Sequence, residues 1–285
     1  MSSRARVLLA VHAHPDDECL GTGGILARYS AEGVRTILVT CTDGAVGEIS
    51  DAALATPENL AEVRAGELDE SVRILGISRL AKLGYRDSGM QGTADNQNPA
   101  SFHLADFDAA VGKVVRLMRE ERPDVVVTYD ENGGYGHPDH VRAHQVAVAA
   151  FEAAGDATRF PDAGAACSPA KLYYAVIARS TFPRFIERLR EAGIESPFTA
   201  QSEAPDEGRP AFGVSDDRIT TTVDVSHYVE TKRLSLAAHR TQMGPDQFFM
   251  RIPPELFAEF FGRENFQRVS GPTTAAAEAD LFAGV

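Results

Sequence analysis

Two apolar runs, RVLLAV (6–11) and PDVVVTYD (123–130), constrain what this chain can fold into more than any other feature. Each is short, continuous and rich in β-branched residues. That pattern suits strands buried on both faces, not strands that alternate between core and water. RTILVTCT (35–42) reads as a third such strand and RLAKLGY (79–85) as a weaker fourth. Helical segments lie between them. GGILARYSAEG (23–33) is stopped by Gly33, and a second helix runs from about Pro57 to Leu75, ahead of Gly76. In 105–121, Phe107, Val111, Val114, Val115 and Met118 line one helical face, and a fourth helix covers 137–155. Alternation of this kind predicts an α/β, Rossmann-like fold with a mostly parallel sheet and helices on both faces.

Beyond Gly155 the rhythm loosens. KLYYAVIA (171–178) and RITTTVDV (218–225) read as strands, 181–193, 227–240 and 253–262 as helices, and EAPDEGRP (203–210) as a polar loop. We expect a less regular C-terminal cap on the same domain.

In an open parallel sheet, ligands bind beyond the carboxyl ends of the strands. Here two of the strongest strands run directly into histidines and acids: H-A-H-P-D-D-E after the first, Y-D-E-N-G-G-Y-G-H-P-D-H after 124–129. Both clusters therefore fall on one rim, although His14 and His140 are far apart in sequence. Two His and one carboxylate, with a position left for water, form a common hydrolytic zinc set. His14, Asp17 and His140 are the candidate ligands. Asp16, between two of them, is placed to take a proton from water that the metal has acidified. Any one of these residues alone would more readily be a helix cap or a core residue; together, at two strand ends, they favour a metal. His12 reads as packed behind the site, and His144 as structural. GTGGIL (21–26) lacks the third small residue of a dinucleotide loop, and the acids before it would repel a pyrophosphate.

A net charge of −13 over 285 residues argues against nucleic acid or anionic membrane as partner. A small-molecule partner is expected, and oligomeric state is left open. The scattered Cys19, Cys41 and Cys167, with no CxxC and no membrane-spanning run, point to a cytoplasmic protein without disulfides.

AHPDDE with a downstream HPDH resembles the PIG-L/LmbE-like zinc N-deacetylase family, whose members hydrolyse an amide on a glucosamine nitrogen. TDGAVGE (42–48), RDSGM (86–90), TYDENGGYGHPDH, AAHRTQ (237–242) and DLFAGV narrow the resemblance to the actinobacterial mycothiol enzymes. These are the mycothiol S-conjugate amidases and the N-acetylglucosaminyl-inositol deacetylases. The resemblance implies Zn²⁺ (Fe²⁺ as the alternative) on His14, Asp17 and His140, with Asp16 as general base. It adds His137 as an electrophilic or general-acid group oriented by Asp139, and Tyr135 as a donor to the tetrahedral oxyanion. Arg64 and Asp87 would hold sugar or inositol hydroxyls, with Glu48 and His239 as further substrate-side candidates.

The expected organisation is a metal-binding core over 1–160 and a lobe over 161–285 completing the substrate pocket. FEAAGDATRFPDAG (151–164) and KLYYA (171–175) resemble the S-conjugate amidases, so that activity is expected first. N-acetylglucosaminyl-inositol deacetylation is the alternative, and a non-catalytic, metal-containing sugar-binding protein is the alternative of another class. The amidases tend to carry Lys three residues after the motif Glu, where this chain has Gly21.

Overall fold

The computed structural model describes residues 4–197, 213–274 and 277–285. Among them, β1 (Val7–His12), β2 (Arg35–Thr42), β3 (Arg79–Tyr85), β4 (Val125–Tyr129), β5 (Lys171–Val176), β6 (Thr221–Asp224) and β7 (Arg263–Ser270) form a single sheet. Its order is β3-β2-β1-β4-β5-β7-β6. β1 to β5 pair in parallel, and β7 runs antiparallel between β5 and β6. β5, β6 and β7 come from beyond residue 160, so both halves of the chain share one sheet.

The helices are α1 (Asp17–Ala31), α2 (Leu60–Leu75), α3 (Phe107–Glu121), the single turn α4 (Gly133–Gly136), α5 (Pro138–Ala154), α6 (Thr181–Glu191), α7 (Val229–Ala238), the short α8 (Phe248–Arg251) and α9 (Pro254–Phe261). The continuous apolar strands are explained by burial on both faces. Val7, Leu9 and Val11 join one core with Val111, Val114, Val115 and Met118 of α3 and Val146 and Ala150 of α5. Leu8 and Ala10 join the other with Ile25, Leu26 and Tyr29 of α1 and Leu68 and Leu75 of α2. β1 lies between β2 and β4, where the winding of the sheet reverses and a crevice opens at the carboxyl ends of the strands.

Two elements differ from the sequence reading. α1 begins at Asp17, not residue 23, so GTGG lies inside the helix. The acids in its first turn favour the helix N-terminus, and Gly24 is required by close approach: a Cβ there would stand 2.4 Å from Val225 Cγ2. β7 has no counterpart in the sequence reading. The expected loop at 203–210 lies outside the described residues.

β7 and β5 also anchor the C-terminal segment. The buried Glu278 carboxylate accepts from Tyr173 OH at 2.9 Å and from Thr274 N at 3.1 Å, and pairs with Arg268 Nη1 at 2.8 Å and Lys171 Nζ at 3.3 Å. Burial opposes its ionisation, but the bonds from Thr274, Tyr173 and Lys171 prevail and bring its pKa down to about 2. A carboxyl whose pKa is lower folded than unfolded stabilises the fold above the unfolded value and loses that contribution as pH falls. Thermal stability is therefore expected to drop between about pH 4.5 and 2. Melting curves of Glu278→Gln should show a shallower acid slope; an unchanged slope would contradict this assignment.

Candidate metal centre

Chain leaving β1 and chain leaving β4 meet at the crevice. His14 Nδ1 lies 3.2 Å from His140 Nε2 and 3.3 Å from Asp17 Oδ2, and Asp17 Oδ1 lies 3.2 Å from His140 Nε2. Tetrahedral zinc, with bonds of about 2.0–2.2 Å, sets its ligand atoms roughly 3.3–3.5 Å apart. The three donors thus already stand at close to ligand spacing around one point. The imidazoles of His14, His137 and His140 also bring donor nitrogens within 4.8 Å of one another, so His137 borders the same space.

The outer ring nitrogens are committed as metal-binding histidines require. His140 Nδ1 bonds the Gly133 carbonyl at 3.1 Å, and His14 Nε2 bonds Asp139 Oδ2 at 3.2 Å. Gly133 has φ 63°, and a Cβ on it would stand 2.6 Å from His140 Cβ, so only glycine brings that carbonyl so close. Asp139 is itself fixed by the Ser88 amide at 2.8 Å and by the Ser88 hydroxyl. His14 sits between three carboxylates. Burial would lower its pKa, but hydrogen bonds with Asp139, Asp17 and Asp87 raise it well above its ordinary value. For Asp17, burial opposes ionisation but His140 and His14 outweigh it, holding its pKa well below the carboxylate range.

Tyr129 was not anticipated. Its hydroxyl donates to Asp17 Oδ2 at 2.7 Å, while its ring stacks on His140 with centroids 4.3 Å apart. One side chain thereby fixes two of the three donors. Its only sequence cue was a tyrosine closing a buried strand. Tyr129→Phe keeps the stack and removes the hydroxyl; metal affinity is expected to fall about 10–100-fold. Titration with a competing chelator checks this, and unchanged affinity would contradict it.

Asp16 is strained. At φ 113°, it is one of three non-glycine residues with positive φ among the described residues, and it lies well outside the usual left-handed region. Such a conformation costs about 1–3 kcal/mol and persists only where neighbours over-determine it. Here Arg64 Nη2 donates to Asp16 Oδ2 at 3.0 Å and to the Pro15 carbonyl, and Glu18 Oε2 accepts the Asp16 amide at 3.0 Å. Burial raises the Asp16 pKa to about 6, with Arg64 opposing.

His137 caps α5, its Nδ1 accepting from the Asp139 amide at 3.2 Å. In the neutral ring the proton then sits on Nε2. Burial, together with His14 and His140, lowers its pKa to about 4, which keeps the ring neutral. Tyr135, 49% exposed, holds its ring 4.9 Å from that of His140.

Three expectations change. Asp139 orients His14, because at the start of α5 its carboxylate meets the His14 ring and only its backbone amide meets His137. Arg64 is 3% exposed and spends its guanidinium on Gly44 O, Pro15 O and Asp16, so it supports the Asp16 turn and is no open substrate contact. His239 is fully buried against Glu18 Oε1 at 2.8 Å and lines no open surface. Asp87 joins the cluster, Oδ1 lying 3.4 Å from His14 Nε2, and Glu48 is exposed in the loop after β2. His12 bonds Thr22 at 2.8 Å behind the ligands, and His144 bonds the Tyr129 carbonyl. The three cysteines are free and buried. No helix among the described residues is long and apolar enough to cross a membrane.

Fold and site together define a Rossmann-like α/β protein with a His–Asp–His cluster, fit for metal binding, at the crevice of its sheet. The family model PIG-L, described as GlcNAc-PI de-N-acetylase, matches residues 9–151, and the chain belongs to this family. A curated relative from Catenulispora acidiphila, 1D-myo-inositol 2-acetamido-2-deoxy-alpha-D-glucopyranoside deacetylase 1, is 43% identical over 99% of this chain and 90% of its own length. Among solved structures, N,N'-diacetylchitobiose deacetylase from Pyrococcus horikoshii aligns with TM-score 0.65 and 22% identity, covering 94% of this chain and 85% of its own. The 4-carboxy-2-hydroxymuconate hydratase of Pseudomonas putida KT2440 aligns with TM-score 0.61 and 16% identity, covering 95% and 98%. A fold that also carries a hydratase does not by itself fix the reaction.

Proposed function

We propose that this chain is a zinc-dependent amidohydrolase that removes the acetyl group from the glucosamine nitrogen of 1D-myo-inositol 2-acetamido-2-deoxy-α-D-glucopyranoside. The observation that carries the proposal is the convergence of His14, Asp17 and His140 within 3.2–3.3 Å beside a strained, half-buried Asp16. The name of the 43%-identical relative supports the substrate.

When bound to His14, Asp17 and His140, the metal supplies Lewis acidity toward water and the scissile carbonyl. Asp16 takes the proton of the attacking water, and its turn is held ready by Arg64 and Glu18. Neutral His137, its Nδ1 occupied, offers its Nε2–H to the developing oxyanion, and the neighbouring Tyr135 supplies a second donor. Protonated Asp16 then delivers that proton to the leaving amine, which departs as the bond to the acyl carbon breaks. Asp87 and Glu48 remain on the substrate side. Acetate release from the named glycoside by zinc-loaded protein tests the reading; no release at full metal occupancy would contradict it.

A second reading, mycothiol S-conjugate amidase, is favoured by the stretches at 151–164 and 171–175. It predicts faster cleavage of an S-conjugate than of the acetamide in the same assay.

A further inference from the structure

Glu18 is a carboxylate with no exposed surface, one residue past a proposed metal ligand. Its two oxygens do different things. Oε2 accepts the backbone amide of Asp16 at 3.0 Å. Oε1 collects three donors: His239 Nε2 at 2.8 Å, Ser71 Oγ at 2.5 Å and Cys19 Sγ at 3.3 Å. The His239 side chain has one hydrogen bond among the described residues, the one to Glu18, and its Nδ1 is buried without a partner. The ring stands just past α7, in the AAHRTQ segment whose position in the mechanism is otherwise unexplained.

That segment is anchored immediately after His239. Ser50 binds the Arg240 carbonyl at 2.7 Å and the Thr241 carbonyl at 2.8 Å, and Glu67 of α2 accepts from the Thr241 amide at 2.9 Å. Glu18, Cys19 and His239 could be taken for a second metal set. With three protein donors already on Oε1, the carboxylate has no lone pair left on that side for a cation.

We infer that Glu18 and His239 form a buried clamp that positions Asp16, holding its backbone in the positive-φ conformation that aims the carboxylate at the metal centre. The inference rests on the reading of Asp16 as the base. Glu18 bridges a residue of the C-terminal lobe to the amide of the strained residue, so the lobe contributes to catalysis without touching substrate. His239 and Glu18 are positioning residues, and Ser71 reinforces them. A small displacement of a catalytic group is enough to cost about 10²-fold in rate.

The test compares His239→Ala, His239→Gln and Asp16→Asn in the zinc-loaded full chain. It follows kcat and KM on the acetamido glycoside, metal per chain, and amide hydrogen exchange across residues 14–19. For His239→Ala the clamp predicts a 10–100-fold fall in kcat, KM within twofold of wild type and metal content unchanged. It also predicts faster exchange at 14–19, and recovery of most of kcat in His239→Gln, whose amide can donate to Oε1. Wild-type kcat in His239→Ala would overturn the clamp, as would a loss explained by a raised KM or by lost metal. If His239→Ala does not fold, Ser71→Ala removes one donor from the same oxygen; it must lower kcat and speed exchange at 14–19, and wild-type values for both would overturn the clamp. Full turnover in Asp16→Asn would instead overturn the base assignment. An inactive Asp16→Asn beside a fully active His239→Ala would overturn the clamp alone.

Discussion

Asp16→Asn is expected to lower turnover by about 10²–10⁴-fold, the usual contribution of a positioned general base, while zinc content stays at that of wild type. Asparagine is the informative replacement. It tolerates positive φ better than alanine, so the turn at φ 113° survives. Its carbonyl oxygen still accepts from Arg64, which donates to Asp16 Oδ2 at 3.0 Å. Only the ability to take a proton is removed. Asp16 makes no contact with His14, His140 or Asp17 like those that join the three ligands, so metal binding has no direct reason to change. Steady-state kinetics with metal analysis on the same sample decide the matter. Wild-type turnover would remove Asp16 from the mechanism, and loss of zinc would recast it as part of the ligand set.

The second large effect is expected at His140. Its Nε2 lies 3.2 Å from both His14 Nδ1 and Asp17 Oδ1, and its ring is held by the Gly133 carbonyl and by the face of Tyr129. His140→Ala therefore removes one of three donors and leaves the other two without a common partner. Metal content should fall to a small fraction of an ion per chain, and turnover should fall at least as far as in Asp16→Asn. A bound metal stabilises the folded state by mass action, about 2.7 kcal/mol at a hundred times Kd. Added zinc should therefore raise the melting temperature of the wild type and leave that of His140→Ala unmoved. A zinc-dependent shift retained in the variant would contradict the ligand assignment.

How much of this was legible in sequence follows from where each signal lies. β1 and β4 were readable because burial on both faces demands continuous apolar residues, and His14, Asp17 and His140 because charge at the end of such a strand needs a reason. β7 was missed because RENFQRVS carries only one large apolar side chain, Phe266, into the core. Its buried charge, Glu264, is balanced by Lys232 at 2.7 Å, a partner no local pattern announces. The start of α1 was misjudged because GTGG suggests a loop until Val225 is seen packed against Gly24.

The misplaced residues share a cause. Arg64 and His239 look like open polar groups in sequence, yet each is buried by partners from distant segments: Gly44 and Pro15 for the arginine, Glu18 for the histidine. Asp139 was assigned to its sequence neighbour His137, when helix geometry turns its carboxylate to His14, 125 positions away. The supporting roles of Tyr129 and Ser88 have no local signature, because supporting a ligand requires only reach, and reach is a property of the fold.

The central claim is that the His14–Asp17–His140 centre drives hydrolysis of an N-acetylglucosamine amide. The most direct test measures acetate released from 1D-myo-inositol 2-acetamido-2-deoxy-α-D-glucopyranoside by one preparation as isolated, after chelation, and after zinc is restored. The account predicts turnover that is lost on chelation and regained in proportion to zinc up to one ion per chain. Turnover that survives complete metal removal, or its absence at full occupancy, would contradict it.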